Sequence, residues 1–186
     1  MTTGRKYLRG PRGTGFLYAS NKIIERCNPP FIDLQSAQWL ENNQYSLSKN
    51  AQRFETWEQY LAGKIGLSTA IDYFLQLDMN ACWERIHYLA DLLRKQLKTI
   101  PNIQVHDLGK ELCGIVTFTS KNKSVQEIQD YLSKNKINVS ISLKEYARLD
   151  MDRRKLDALV RASVHYYNTE EEIALFCEQL SNCLND

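Results

Sequence analysis

Three short blocks of this 186-residue chain hold side chains of the types that do chemistry. In the first, Thr3-Gly4-Arg5-Lys6-Tyr7-Leu8-Arg9-Gly10-Pro11-Arg12-Gly13-Thr14-Gly15, the glycines Gly10, Gly13 and Gly15 permit close backbone approach and positive φ. The cations Arg5, Lys6, Arg9 and Arg12 around them favour an anionic ligand. The spacing is neither that of a P-loop, which needs Lys directly after its second Gly, nor that of a G-x-G-x-x-G dinucleotide turn. A basic surface turn ahead of a strand satisfies the same pattern. The second block is Val160-Arg161-Ala162-Ser163-Val164-His165-Tyr166-Tyr167-Asn168-Thr169. Strand alternation puts Val160, Ala162 and Val164 on one face and Arg161, Ser163 and His165 on the other. An arginine in mid-strand needs a carboxylate partner, because an unpaired buried guanidinium is costly, and that partner is either structural or a substrate. His165 shares the Arg161 face, which suits an active-site role and a structural hydrogen bond equally. The third block, Arg53-Phe54-Glu55-Thr56-Trp57-Glu58, places Glu55 and Glu58 where the dipole at the start of a helix favours negative charge.

The elements that would position these blocks follow from periodicity. A basic, glycine-rich loop feeds a short apolar strand at 15–19, and residues 27 to 52 carry no clear period. Trp57, Leu61, Ile65, Ile71, Phe74 and Leu75 predict a helix to about Leu77, and Trp83, Ile86, Ala90, Leu93 and Leu97 predict a second one over 81–98, stopped by Pro101. Strands are expected at 103–107 and 114–119, and Ser124 with Glu127 has capping-box spacing for a helix carrying Val125, Ile128 and Leu132. Ile137, Val139 and Ile141 alternate as a strand; a polar loop is expected over 143–155, then a strand at 159–165. Thr169 with Glu172 opens a last helix whose stripe is Ile173, Phe176, Leu180 and Leu184. The order α, β, β, α, β, β, α from about residue 80 predicts a small α+β domain with one sheet covered by helices. One strand, one helix and a long irregular connection make a poor core for the first 78 residues, which look like part of something larger.

The 24 Lys+Arg nearly balance 22 Asp+Glu, and the net charge of +2 argues against general polyanion binding. Arg5 to Arg12 has only Tyr7 as an interleaved aromatic, so no nucleic-acid partner is expected. No apolar run reaches the roughly 18 residues that cross a bilayer, and Met1-Thr2-Thr3-Gly4-Arg5-Lys6 is followed by no apolar stretch, so no membrane partner and a cytoplasmic location are expected. Cys27, Cys82, Cys113, Cys177 and Cys183 form no C-x-x-C pair, which suits free thiols and no metal site. His87 lies on the helical face of Trp83 and Leu93 and reads as packing; His106 reads as strand or loop surface.

Taken together, the blocks resemble the C-terminal half of class V aminotransferases, the pyridoxal-phosphate-dependent fold type I family that also includes cysteine desulfurases and isopenicillin N epimerase. "TGRKYLRGPRGTGFLYAS" resembles the segment around the family's cofactor lysine, "PPFIDLQSAQW" and "RFETWE" follow in family order, and "LVRASVHYYNTEEEI" resembles its C-terminal motif. The resemblance covers nearly the whole chain. It implies an α/β to α+β fold: residues 1–78 as the last section of a large cofactor domain, and 79–186 as the C-terminal small domain. It makes Lys6 the lysine that carries pyridoxal 5′-phosphate, a role that requires a primary amine. It makes Arg161 the residue that holds the substrate α-carboxylate, suited to a bidentate guanidinium fork, with His165 beside it. The implied partners are a small amino-acid substrate and a second copy in a homodimer.

Two departures bear on the chemistry. Cysteine desulfurases place a nucleophilic Cys before the carboxylate arginine, and 139–160 contains none, so persulfide chemistry is not expected. The family's Gly-Thr after Arg-Phe-Glu is replaced by Thr56-Trp57, which points to the epimerase-like and lyase-like branch. In the family the phosphate cradle, the ring-stacking residue and the Asp at the pyridine nitrogen precede the lysine, and this chain starts five residues before it. The expectation is a chain inactive on its own. The alternative is a non-catalytic small-domain module, or one half of a split enzyme pairing with a separate N-terminal part.

Overall fold

The computed structural model describes residues 1–185, which form two compact units, 1–77 and 78–185.

The first unit holds β1 (Thr2–Thr3), β2 (Gly15–Phe16), α1 (Asn21–Arg26), β3 (Ala37–Glu41), β4 (Gln44–Leu47), a 3₁₀ turn (Ala51–Phe54) and α2 (Leu61–Leu75). The strand expected over 15–19 is only two residues long, paired antiparallel with β1. The segment read as irregular contains a hairpin, β3–β4, which reverses at Asn42-Asn43 with Asn43 at φ 64°. A left-handed Asn in a two-residue connection is the signal that periodicity missed.

The Arg53–Glu58 block does not open a helix. α2 starts at Leu61 without an acidic residue in its first turn, and Arg53 instead ties neighbouring segments together. Its Nε donates to the Ser48 carbonyl at 2.8 Å, and one Nη donates to the carbonyls of Ile24 and Cys27. Asp33 does similar work. Its carboxylate accepts from the amides of Trp57 (2.7 Å), Gln35 (2.8 Å) and Ser36 (3.2 Å), and the Trp57 amide foremost holds that carboxyl below the usual range. Among its apolar side chains the unit buries only Ile24, Ala37 and Leu67, while Phe31, Tyr18, Leu34 and Ile65 stay exposed. So small a core follows from the composition of 1–77, where apolar residues lack the regular elements that would stack them.

The second unit has a core of its own. In chain order it holds α3 (Met79–Thr99), β5 (Ile103–Val105), β6 (Ile115–Ser120), α4 (Val125–Lys134), β7 (Ser140–Leu143), a 3₁₀ turn (Lys144–Tyr146), α5 (Arg148–Arg154), β8 (Ala158–Ser163) and α6 (Glu170–Asn185). Asp78 caps α3 by accepting from the amides of Asn80 and Ala81 at 2.9 and 3.1 Å. Both capping boxes form: Ser124 with Glu127 opens α4, and Thr169 with Glu172 opens α6. The strands make one antiparallel sheet in the order β5-β6-β8-β7.

Leu89, Leu93 and Leu97 of α3, Ile128 and Leu132 of α4, and Ile173, Phe176 and Leu180 of α6 pack with Val116, Phe118, Val160 and Ala162 of the sheet. Cys177 and Cys183 join that core, and burial pushes the Cys177 thiol up to about 11. The loop expected over 143–155 instead contains α5, whose Met151 is buried. One apolar anchor in seven residues is too little period to announce a helix. Lys155, at φ 55°, ends it in the left-handed conformation.

Candidate functional site

Lys6 lies in the loop between β1 and β2. The loop closes on itself through Gly4 N–H to the Thr14 carbonyl and Gly10 N–H to the Gly4 carbonyl, both 2.8 Å, and through Arg9 N–H to the Lys6 carbonyl at 2.9 Å. Gly4 lets the loop approach closely, since a Cβ there would stand 2.3 Å from Thr14 Oγ1 and 2.8 Å from Leu67 Cδ1 and would push both side chains aside. Gly66 of α2 likewise leaves room for Pro11, whose Cγ would lie 2.7 Å from an added Cβ. Glycines on both partners thus let the loop sit directly on α2. Tyr7 packs edge-on against Phe74 with ring centroids 5.5 Å apart, and the Arg9 guanidinium lies over the Tyr73 ring. The loop backbone is fixed while the Lys6 side chain itself is exposed. A cleft of about 700 Å³ opens where Arg9, Gly10 and Pro11 meet Gly66, Ala70 and Tyr73.

Arg161 is on β8, opposite Thr117 of β6 and Ser140 of β7, so the three residues share one face. That face is opposite the one on which Val160 and Ala162 enter the core, as alternation predicts. The guanidinium is half-buried, and its Nη2 lies 3.5 Å from Ser140 Oγ. Its Nε is fully enclosed and has no hydrogen-bond partner. Among the described residues no carboxylate forms an ion pair with it.

Arg94 of α3 shows what a structural arginine looks like in the same unit. It is 5% exposed, donates from Nε to Asp107 Oδ2 at 2.8 Å, and reaches Asp91 and the carbonyls of Cys113 and Ile115 with its other nitrogens. Arg161 is less deeply buried than Arg94, yet its enclosed Nε lacks the partner that Arg94 Nε has in Asp107. A guanidinium in that state has donors available to an anion.

β8 ends at Ser163, so His165 lies beyond the strand that was expected to carry it. Its ring stacks on Tyr167 at 4.8 Å and meets Tyr166 edge-on at 4.5 Å, and its amide donates to Asn168 Oδ1 at 2.8 Å. His106, read as surface, is instead half-buried with Nε2 2.8 Å from Thr119 Oγ1, and burial lowers its pKa. Lys6 belongs to the first unit, and Arg161 and His165 to the second. Ser140 was not singled out in the sequence; only the register across β7 and β8 brings it to Arg161.

The segment following His165 is tied to α3 by Arg85, whose Nη1 and Nη2 donate to the two oxygens of Glu170 at 2.6 and 2.8 Å. Arg85 pulls the Glu170 carboxyl from its ordinary 4.5 down to about 2. A carboxyl whose folded pKa lies below its unfolded one contributes stability that is complete above the unfolded value and is lost as pH falls through the folded value. The urea midpoint is therefore expected to drop between pH 4.5 and about 2, and Glu170→Gln is expected to flatten part of that drop. An unchanged acid slope in the variant would exclude the contribution.

A profile of the family described as aminotransferase class-V matches residues 1–176. A probable cysteine desulfurase from Methanothermobacter thermautotrophicus is 28% identical over 183 residues, which are 95% of this chain and 45% of that protein. The chain spans about half the length of the curated relatives it matches. Among solved structures, a cysteine desulfurase from Thermococcus onnurineus superposes with a TM-score of 0.87 at 23% identity, covering 98% of this chain and 46% of that one. CsdA, a cysteine desulfurase from Escherichia coli, gives 0.86 at 20% identity with coverages of 98% and 45%. The fold is that of the C-terminal portion of a fold type I enzyme.

Proposed function

From its membership of the class V aminotransferase family, to which the chain belongs, we propose that it supplies the cofactor lysine and the substrate-carboxylate arginine of a pyridoxal-phosphate enzyme acting on an amino acid. The family depends on pyridoxal phosphate, which when bound withdraws electrons from the substrate Cα. The observation that carries the reading is the half-buried Arg161 guanidinium, desolvated at Nε and without a carboxylate of its own. A planar fork in that state binds a substrate α-carboxylate and orients the bonds at Cα. Lys6 offers the primary amine, exposed on a loop whose backbone is closed by glycine contacts. His165, held between Tyr166 and Tyr167, serves as a wall of the substrate site.

The reaction is of transaminase, epimerase or C–S lyase type. The relatives' name, cysteine desulfurase, supports the last. The absence of Cys from 139–160 supports a reaction that uses no thiol from that segment, and Thr56-Trp57 supports the epimerase-like and lyase-like branch. The exposed apolar residues of the first unit support a requirement for further polypeptide packed on it before turnover. The working enzyme is proposed to be a cytoplasmic homodimer, by its family membership. Among the described residues no helix is long and apolar enough to cross a membrane.

Incubation with pyridoxal phosphate, borohydride reduction and peptide mapping tests the lysine. Labelling is expected at Lys6 in preference to the other lysines and is expected to vanish from that peptide in Lys6→Ala. Uniform labelling of surface lysines would sink the assignment.

A further inference from the structure

Ser140 and Arg161 are directly opposed across β7 and β8, which sets their Cβ atoms about 5 Å apart on one face of the sheet. The Ser140 hydroxyl oxygen lies 3.5 Å from Nη2, and this is its one side-chain hydrogen bond among the described residues. On the other flank of Arg161, Thr117 is committed elsewhere: its amide and its hydroxyl both donate to Asp107 Oδ1, at 2.8 and 2.6 Å. Of the two hydroxyls opposed to Arg161, only that of Ser140 engages the guanidinium.

An arginine side chain has four torsions, and a carboxylate bound in bidentate fashion needs the guanidinium plane already set, or the ordering entropy is charged against binding. We propose that Ser140 is a positioning residue for Arg161: its hydroxyl accepts from Nη2 and holds the guanidinium plane in the orientation that receives a carboxylate. This rests on the reading of Arg161 as the carboxylate site. β7 lies at the sheet's edge and Ser140 is only half-buried, so removing its hydroxyl leaves the core untouched.

The full chain labelled with ¹⁵N-arginine provides the test, with the Arg161 Nε–Hε resonance assigned by its loss in Arg161→Lys. L-alanine is titrated in and its Kd read from the shift of that resonance. Saturable binding is expected for the unaltered chain. Ser140→Ala is expected to bind about threefold to tenfold more weakly with an unchanged melting temperature, the size of one modest hydrogen bond, and Ser140→Thr is expected to restore the affinity. Ser140→Ala binding as tightly as the unaltered chain would overturn the positioning role and leave the carboxylate reading intact. Weaker binding without recovery in Ser140→Thr would also overturn it. An Arg161 resonance that L-alanine does not move in the unaltered chain would overturn both.

Discussion

Asp107→Ala is expected to destabilise the second unit by about 3–5 kcal/mol, because it leaves the buried Arg94 guanidinium with only the more exposed Asp91 to balance its charge. The side chains of Arg94 and Asp107 are 6% and 7% exposed and meet at 2.8 Å. The Asp107 carboxylate does more than balance charge. Its other oxygen accepts from both the amide and the hydroxyl of Thr117, so the substitution also leaves a β6 donor unmatched. Equilibrium urea unfolding followed by far-ultraviolet circular dichroism measures the loss. The double variant Arg94→Met, Asp107→Leu is expected to recover part of it, because replacing both charges removes the desolvation cost along with the attraction while the Thr117 amide still lacks its acceptor. A single variant costing under about 1 kcal/mol would show that water or a neighbouring group compensates the arginine.

Phe118→Ala is expected to cost about 3–5 kcal/mol by the same measurement. Phe118 is fully buried on β6 in the middle of the sheet, and its ring meets Phe176 of α6 in a T-shaped contact with centroids 6.2 Å apart. Truncation removes the aromatic pair and leaves a cavity beneath helices whose packing against the sheet keeps them from filling it. Phe118→Leu, which retains much of the volume, is expected to cost well under half as much. Equal losses for the two variants would mean that the aromatic contact, rather than the filled volume, carries the energy.

The second unit was the more legible in sequence because its elements bury one face each against a shared core. Spacing alone located α3, α4 and α6, and the caps at Ser124 and Thr169 announced themselves through a Glu three residues on. Edge features were harder. α5 has one buried anchor, and the β3–β4 hairpin owes its turn to a left-handed Asn43 rather than to alternation. Glu55 and Glu58 have the composition of a helix start, yet α2 begins after them, and Asp33 holds the Trp57 amide in a bend that precedes it. Among the candidate residues, residue type singled out Lys6 and Arg161, whereas the partner of Arg161 depended on which strand lies beside β8. Register is a tertiary property, and no local pattern around Ser140 encodes it.

Asp107 substitutes a side-chain oxygen for the strand carbonyl that would normally receive the Thr117 amide, and Thr117 is the residue opposed to Arg161. The position of Thr117 on β6 therefore draws on a charge that Arg94, on α3, holds at 2.8 Å. One arginine, nearly sealed from solvent, thus reaches the residue that stands opposite another. The buried ion pair and the Arg161 face of the sheet are joined through Thr117, so a drift in the first would be felt as a displacement in the second.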